Sequence, residues 1–451
     1  MGKKFNRTEG QGSAGLAVDE WPFRPNGVGR SSKNQNGQAA KGYARGGITK
    51  GNKLNKTDII VGSTKKYYPF LDGFRAIAIL MILSHHISTG FDLGNIFSHN
   101  PALFNWVYLQ AQNFGVDLTH TYVLMQDTFR LLKGILGVEM FFVISGFLIA
   151  GILLRNKDRG IPVSRFYQRR FWKIFPSYFI LVVVSLAIFA WQAQEPFEDT
   201  MATAFRYLFF VQNYFPSNPF LEHTWTLAVM EQFYFFCPLV IAAVYFFVKS
   251  AEERRAALIG LCLLLLIVGP VIRLYYLSSG ETLLNWPFQS PAPYSTTFYH
   301  IDALAFGCLL ALLEPYWTQW KKNIWWGCGL WTIGAGLYFY LFFILDWSYY
   351  WGTWYLYTLG YVATGLLILA AYHGVSLLAR FKFLQWVGRH SYGIYLWHYI
   401  LMIFWKTGLG KVPLIILIFS YLLATLLLGV LSTKTIERYF LSLREKLVPS
   451  V

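Results

Sequence analysis

Apolar stretches long enough to cross a membrane recur along most of this chain, and they leave few folds open to it. Each can cross about 30 Å of hydrocarbon as a helix, some with their ends in the interface, because a helix rises about 1.5 Å per residue. Ten stretches meet this description: 70–89, 135–154, 174–192, 226–248, 256–277, 298–315, 324–345, 354–376, 391–406 and 412–432.

The composition agrees with a membrane-embedded chain. Of the 451 residues, 55% are hydrophobic and only 14% are charged, whereas soluble domains carry about a quarter charged residues. The sequence therefore predicts an all-α fold, a polytopic membrane helical bundle with about ten transmembrane helices. We expect it in the cell (inner) membrane. An even number of crossings puts both termini on the same side.

Positive charge indicates which side that is. The connection 155–173 carries seven basic residues against one acid, Asp158. Short loops rich in lysine and arginine stay in the cytoplasm. The outer connections left by this orientation hold fewer basic residues. We therefore expect both termini to be cytoplasmic.

The chain divides into a tail and a membrane domain. Residues 1–66 are rich in Gly, Asn, Lys and Arg without apolar periodicity, as expected of a disordered basic cytoplasmic tail. The membrane domain is predicted over 67–446, and 447–451 form a short C-terminal tail. The net charge of +16 comes mainly from the N-terminal tail and the inner loops. The expected partner is therefore the lipid bilayer rather than nucleic acid.

The cysteines do not indicate a metal or a disulfide framework. All four lie in or beside apolar segments, and their spacing is not that of metal ligands. Small core residues are their expected role, and no metal site is predicted. The sequence does not fix the oligomeric state. The cysteines are Cys237, Cys262, Cys308 and Cys328.

The first apolar stretch carries ionisable residues to membrane depth, where they are costly and usually functional. Arg75 and His86 are eleven residues apart, so on a helix they differ by about 20° around the axis and lie about 16 Å apart along it. Asp72 lies on nearly the same face. One reading is a structural Asp–Arg pair with an isolated buried histidine. In the functional reading, Arg75 holds an acidic group and His86 acts as base or nucleophile, because imidazole titrates near neutral pH.

A dense basic run, SRFYQRRFWKIFP, covers residues 164–176. The positive-inside rule alone would account for basic residues here. Their density also suits a polyphosphate, because arginine forks phosphate oxygens bidentately and lysine adds a point charge. We therefore expect phosphate binding by Arg165, Arg169, Arg170 and Lys173.

The segment GVEMFFVISGFLI, residues 137–149, places Glu139 near the outer end of the second span. Two roles are open for this carboxylate, which are to orient His86 or to contact an acceptor hydroxyl. Ser145 and Gly146 are small enough to let another helix approach closely. Packing is their expected role.

Four further residues are candidates for an acceptor site or for structural polar contacts. Glu231 lies inside the fourth span, where a carboxylate without a purpose is rare. It is expected to pair with an arginine or to contact an acceptor. His223 and Trp225 lie at the outer boundary, where they can face a sugar. His398 is mid-span among aromatic residues, as either a satisfied core histidine or a site residue.

Taken in order, these segments resemble the acyltransferase 3 family of integral membrane acyltransferases, which O-acylate polysaccharides and lipid-linked sugars of bacterial envelopes. The resemblance covers residues 67–446. The family's hallmark is an arginine followed by ten residues and a histidine, which Arg75 and His86 satisfy, and Glu139 stands where an acidic residue is usual. The matching segments are LDGFRAIAILMILSHH, GVEMFFVISGFLI, RRFWKIFP, HTWTLAVMEQFYFF, HIDALAFGCLLA, GRHSYGIYLWHY and TKTIERYF.

The resemblance implies an enzyme that takes an acyl group from cytoplasmic acyl-CoA, most often acetyl-CoA. Its acceptor would be a sugar hydroxyl of a glycan or glycolipid. The basic run would hold the nucleotide phosphates. His86 would deprotonate the acceptor or carry the acyl group itself.

The chain departs from the family pattern at two residues and in one loop. Lys173 and His300 stand where the family has arginine, usually at the first position and often at the second. The outer stretch 90–134 is longer than usual. A different class of function also stays open, because a helical bundle with buried Arg, His and Glu can form a proton-coupled transport pathway.

Overall fold

The computed structural model describes residues 68–91, 134–193, 197–279, 293–344, 353–377, 379–408 and 412–449. Helices dominate these ranges, and no β-strand occurs within them. The fold is therefore an all-α bundle, as predicted. The predictions for the tail 1–66 and for nearly all of the outer stretch 90–134 fall outside the described ranges.

Thirteen α-helices occur in the described ranges. Most are long and apolar over most of their length, which is the pattern of helices that cross or line a membrane. In chain order they are α1 (Pro69–Gly90), α2 (Gly134–Asp158), α3 (Val163–Ala193), α4 (Phe197–Leu208), α5 (Trp225–Phe247), α6 (Ala251–Ser279), α7 (Ile301–Trp317), α8 (Ile324–Phe339), α9 (Thr353–Tyr372), α10 (Lys382–Arg389), α11 (Ser391–Gly408), α12 (Leu414–Ser432) and α13 (Arg438–Leu447).

Two π-helical turns modify this pattern. The turn Tyr340–Ile344 extends α8, and the turn Thr433–Glu437 joins α12 to α13 without a break. The sequence predicts that the last span ends at 432. The structure continues the helix to Leu447, because no proline or glycine occurs between Gly429 and Leu447.

Eight helical segments among the described residues are long and apolar enough to cross a membrane. The predicted spans 298–315 and 391–406 are helical but are not among these eight. α7 has only 17 residues, and α11 carries several aromatic residues, a histidine and a lysine that lower its mean hydropathy. The eight are Pro69–Gly90, Gly134–Asp158, Val163–Gln192, Glu222–Phe247, Ala251–Tyr276, Ile324–Ile344, Trp354–Tyr372 and Ile415–Leu447.

Large apolar side chains cover much of the bundle's outer surface. Trp325 is 81% exposed, Phe247 77% and Ile415 75%. Such a surface would be unfavourable in water but is the ordinary lipid-facing surface of a membrane protein. The interior of the bundle therefore holds the buried polar side chains.

A close crossing of α2 and α7 forms the centre of the bundle. Gly146 lies against the backbone of Leu304 and Gly307, and Gly307 in turn lies against Val143. A methyl group at either glycine would fall on a backbone carbonyl of the other helix. The prediction that Gly146 serves close helix packing is confirmed, and the crossing fixes Glu139 relative to α7.

The basic run is mostly helical, which corrects the prediction of a long inner connection over 155–173. α2 extends to Asp158 and α3 begins at Val163, so only 159–162 lie between them. Val163 to Phe175 contain neither glycine nor proline, and Pro176 is accommodated inside the helix. Consequently the basic residues project from the first turns of α3.

Candidate active site

The helix α1 carries polar side chains near both of its ends. It runs unbroken from Pro69 to Gly90, so the predicted geometry holds and Arg75 and His86 share a face about 16 Å apart. Two clusters form around these residues. We call the cluster of Arg75, Arg170 and Lys173 the basic pole, and that of His86, His398 and Tyr399 the imidazole pole.

The basic pole joins α1 to the start of α3. Arg75 pairs with Asp72 at 3.7 Å, and the two side chains are only 11% and 4% exposed. The charges of Arg75 and Arg170 both act on the ammonium group of Lys173. Glu437 acts on Lys173 with the opposite sign. The pole therefore brings three cations together with nearby carboxylates, among them Asp72 and Glu437.

Arg170 is held in place by two contacts from α5. Its guanidinium lies 3.6 Å from the centre of the Tyr234 ring, a cation–π contact. Its Nε lies 3.7 Å from Oε1 of Glu231. Of the two roles considered for Glu231, pairing with an arginine is the one that the structure contains.

Arg165 and Arg169 point elsewhere, toward the end of α13. Arg169 Nη2 lies 2.7 Å from Glu445 Oε1, and its Nη1 donates to the Val448 carbonyl at 2.6 Å. Arg165 donates to the carbonyl of Pro449. The structure thus divides the four predicted phosphate ligands into a pair inside the basic pole and a pair bound to the C-terminal segment.

The imidazole pole joins α1 to α11. The centre of the His86 ring lies 5.1 Å from that of His398 and 5.0 Å from that of Tyr399. His86 is half-buried, whereas His398 is fully buried. His223 packs against both residues of α11, with ring centres 5.0 Å from His398 and 5.0 Å from Tyr399. Three imidazoles that are distant in sequence therefore meet at one place.

Glu139 lies in a separate buried cluster with His300. Its Oε1 is 2.5 Å from Nδ1 of His300, and both side chains are 0% exposed. Its Oε2 has no hydrogen-bond partner within the described residues. Glu139 therefore contacts His300 rather than His86, so it does not orient the His86 ring by a direct hydrogen bond. Contact with an acceptor hydroxyl is the role that stays a prediction.

Trp225 and Tyr294 cover this cluster. The Trp225 ring stacks on His300 with centres 5.2 Å apart, and Tyr294 meets Trp225 edge-on at 5.7 Å. Tyr294 is 41% exposed, and its carbonyl accepts a hydrogen bond from His300 Nε2 at 2.6 Å. Burial of part of the ring, and the charge of Glu222, raise the pKa of the Tyr294 hydroxyl.

Arg273 is a buried charge that the sequence analysis did not single out. It is 0% exposed and forms a bidentate pair with Asp302, at 3.0 and 2.5 Å. Its remaining donors bond the carbonyls of Trp354 and Tyr299 and the hydroxyl of Thr358. Its position inside the predicted span 256–277 could have identified it from the sequence, because charges at membrane depth are rare.

The described residues contain no group of three or more His, Cys, Asp or Glu side chains placed to hold a metal ion. The three imidazoles of His86, His398 and His223 are packed ring against ring. Such packing suits acid–base or acyl-transfer chemistry, in which each imidazole acts through one ring nitrogen.

Comparison with known proteins places this geometry in context. The chain is 27% identical over 369 residues to the peptidoglycan O-acetyltransferase OatA of Listeria monocytogenes, which covers 74% of this chain and 49% of the relative. It is 27% identical over 399 residues to the O-acetyltransferase OatA of Staphylococcus aureus, covering 82% of this chain and 57% of the relative. The putative peptidoglycan O-acetyltransferase YrhL of Bacillus subtilis is also 27% identical, over 374 residues that make up 74% of this chain and 48% of the relative.

The chain spans about half the length of these curated relatives. No solved structure matches it. The family model of the acyltransferase domain matches residues 68–434, a range that includes both poles of α1 and the Glu139–His300 cluster. The protein is a multi-pass protein of the cell membrane, and it belongs to the acyltransferase 3 family.

Proposed function

We propose that this chain is a membrane O-acyltransferase that moves an acyl group, with acetyl as the first to test, from cytoplasmic acyl-CoA to a sugar hydroxyl of an envelope polysaccharide or lipid-linked glycan. One observation carries the proposal. The chain belongs to an acyltransferase family. One face of its helix α1 carries Arg75 of the buried cation cluster and, about 16 Å away, His86 of the imidazole cluster.

The basic pole is suited to the donor. Coenzyme A carries phosphates at one end and the thioester at the other, so an anion site and a reactive group must lie apart. Arg170 and Lys173 would hold the phosphates. Arg165 and Arg169 would join them only after releasing their contacts with Glu445, Val448 and Pro449. The pantetheine arm would run along α1 past Arg75, which brings the thioester to His86.

The acceptor would approach the imidazole pole from the outer side. Trp225 with Tyr294 offers aromatic surface, and Glu139 and His223 offer polar groups near it. Relatives are named as peptidoglycan O-acetyltransferases, so peptidoglycan is the first acceptor to examine. His86 would either deprotonate the acceptor hydroxyl or carry the acyl group.

The test compares envelope glycans by mass spectrometry from cells that express the wild-type chain, His86→Ala or His85→Gln at matched membrane levels. His85 is the matched control, because it neighbours His86 but is rotated by about 100° on the helix. Its ring lies against Gly134 at the start of α2. We expect an ester mass increment, such as acetyl, in the wild type and in His85→Gln, and its loss in His86→Ala.

Two outcomes would contradict the proposal. Identical glycans in all strains, together with a transport phenotype lost in His86→Ala, would favour a proton-coupled transporter. Retention of the ester in His86→Ala would remove His86 from the reaction, even if the protein is an acyltransferase.

A further inference from the structure

His398 has a bonding pattern that fixes where it can take up a proton. Its Nδ1 lies 2.6 Å from the Tyr395 carbonyl oxygen. A carbonyl can only accept, so Nδ1 carries the hydrogen. In the neutral ring the lone pair is then on Nε2. This nitrogen is buried and has no hydrogen-bond partner among the described residues.

The surroundings of His398 hold its backbone and its ring in place. Its backbone carbonyl accepts a hydrogen bond from Tyr421 at 3.1 Å, and Tyr421 belongs to an apolar cluster with Met402 and Leu417. The His223 ring packs edge-on against it. A buried, unpaired acceptor is unfavourable and calls for an explanation. A catalytic proton acceptor is one.

A second imidazole in contact with this ring is that of His86, with ring centres 5.1 Å apart. A histidine that carries an acyl group on one nitrogen cannot use that nitrogen as a base. A second imidazole beside it can act as the base instead. Tyr399, the other ring in contact with His86 from α11, donates its hydroxyl to Glu222 at 2.6 Å and is therefore engaged elsewhere.

We propose that His398 is a second catalytic residue, whose Nε2 accepts the proton of the acceptor hydroxyl while His86 carries the acyl group. The inference rests on the proposed function and makes it more specific. It assigns different roles to the two imidazoles of the pole.

The reaction then has two balanced steps. In the first, the unprotonated ring nitrogen of His86 attacks the thioester carbonyl, a C–N bond forms, the C–S bond breaks, and the proton of His86 leaves with the CoA thiolate as thiol. In the second, the acceptor oxygen attacks the acyl carbon while its proton passes to Nε2 of His398. The C–N bond breaks, and the proton on His398 returns to the His86 ring, so both imidazoles end neutral.

The test separates these two steps in the purified full-length chain. Radiolabelled acetyl-CoA is added without acceptor, the label on the protein is measured, and a muropeptide acceptor is then added. His398→Asn keeps an amide donor near the position of Nδ1 but removes the base. We expect normal labelling of this variant and a transfer step slowed by about 100-fold or more, as for the loss of a general base. His86→Asn should take up no label.

A second variant guards against a merely structural effect. In His398→Ala, added imidazole should restore the transfer step, because a small base can occupy the vacated space. The inference is overturned if His398→Asn transfers at the wild-type rate, or if it loses labelling and transfer to the same extent with no rescue of His398→Ala. A wild-type protein that acetylates the muropeptide without ever becoming labelled would also overturn it, while leaving the proposed function intact.

Discussion

At the scale of single residues, Arg273 shows how a fully buried charge can have every bond supplied. All five N–H donors of Arg273 are used, by Asp302, two backbone carbonyls and Thr358. Removing one member of such a pair leaves the other charge buried and unpaired, whereas replacing both by apolar residues is often neutral. The pair therefore stabilises the packing of α6 against α7 only when both residues are present.

The Arg273–Asp302 pair gives the first prediction. Arg273→Met should destabilise the protein by about 3–5 kcal/mol, because Asp302 keeps its charge without a partner. The double variant Arg273→Met/Asp302→Leu should recover most of that loss. The measurement is the thermal unfolding midpoint of the detergent-purified chain. A double variant no more stable than Arg273→Met would show that the pair is needed for more than mutual neutralisation.

The sequence predicts local relationships at this scale and misses distant ones. The shared face of Arg75 and His86 follows from helical periodicity alone, since both lie on one uninterrupted helix. The contact of His86 with His398 depends on how α11 packs on α1, which no local pattern encodes. The same holds for Arg169 with Glu445, 276 positions apart, and for Glu139 with His300, 161 positions apart.

At the scale of elements, two glycines decide how closely α2 and α7 approach. Gly146 and Gly307 face each other at the crossing, where side chains would separate the backbones. This crossing sets the height of Glu139 on α2 relative to His300 just before α7. The position of this buried pair therefore depends on two residues that have no side chain.

The second prediction concerns this crossing. Gly307→Ala should destabilise the chain by about 1–3 kcal/mol, because the new methyl group meets the Val143 carbonyl and the helices must shift. Gly329→Ala is the matched control, since open space surrounds that position in α8. It should be neutral or raise stability by up to about 1 kcal/mol through helix propensity. Unfolding midpoints of both purified variants provide the comparison, and equal effects would contradict the role of the crossing.

At the scale of the whole molecule, the number of crossings determines which pole faces which side. α7 and α11 are helical but less apolar or shorter than the other eight candidates. Their packing explains why they need less hydrophobicity. α7 lies against α2 and α6, and its residues Asp302, Ala303 and Leu304 are fully buried. A helix shielded from lipid by its neighbours does not need an apolar outer surface.

Both helices should cross the membrane, which gives the third prediction. Ser217 and Gln319 are exposed and are separated by α5, α6 and α7, an odd number of crossings if α7 spans. With the four native cysteines replaced by alanine, a membrane-impermeant maleimide should label Ser217→Cys in intact cells and should label Gln319→Cys only after lysis.

The same experiment tests α11 and the position of the termini. Thr407, which is exposed near the end of α11, is separated from Gln319 by α8, α9 and α11, so Thr407→Cys should be labelled in intact cells. Equal labelling of Ser217→Cys and Gln319→Cys would mean that α7 does not cross. Protection of Thr407→Cys from the maleimide in intact cells would mean that α11 does not cross. If all three variants label as expected, the basic pole faces the cytoplasm and the imidazole pole faces the outer side. The proposed acyl-CoA donor could then stay inside while the acyl group crosses.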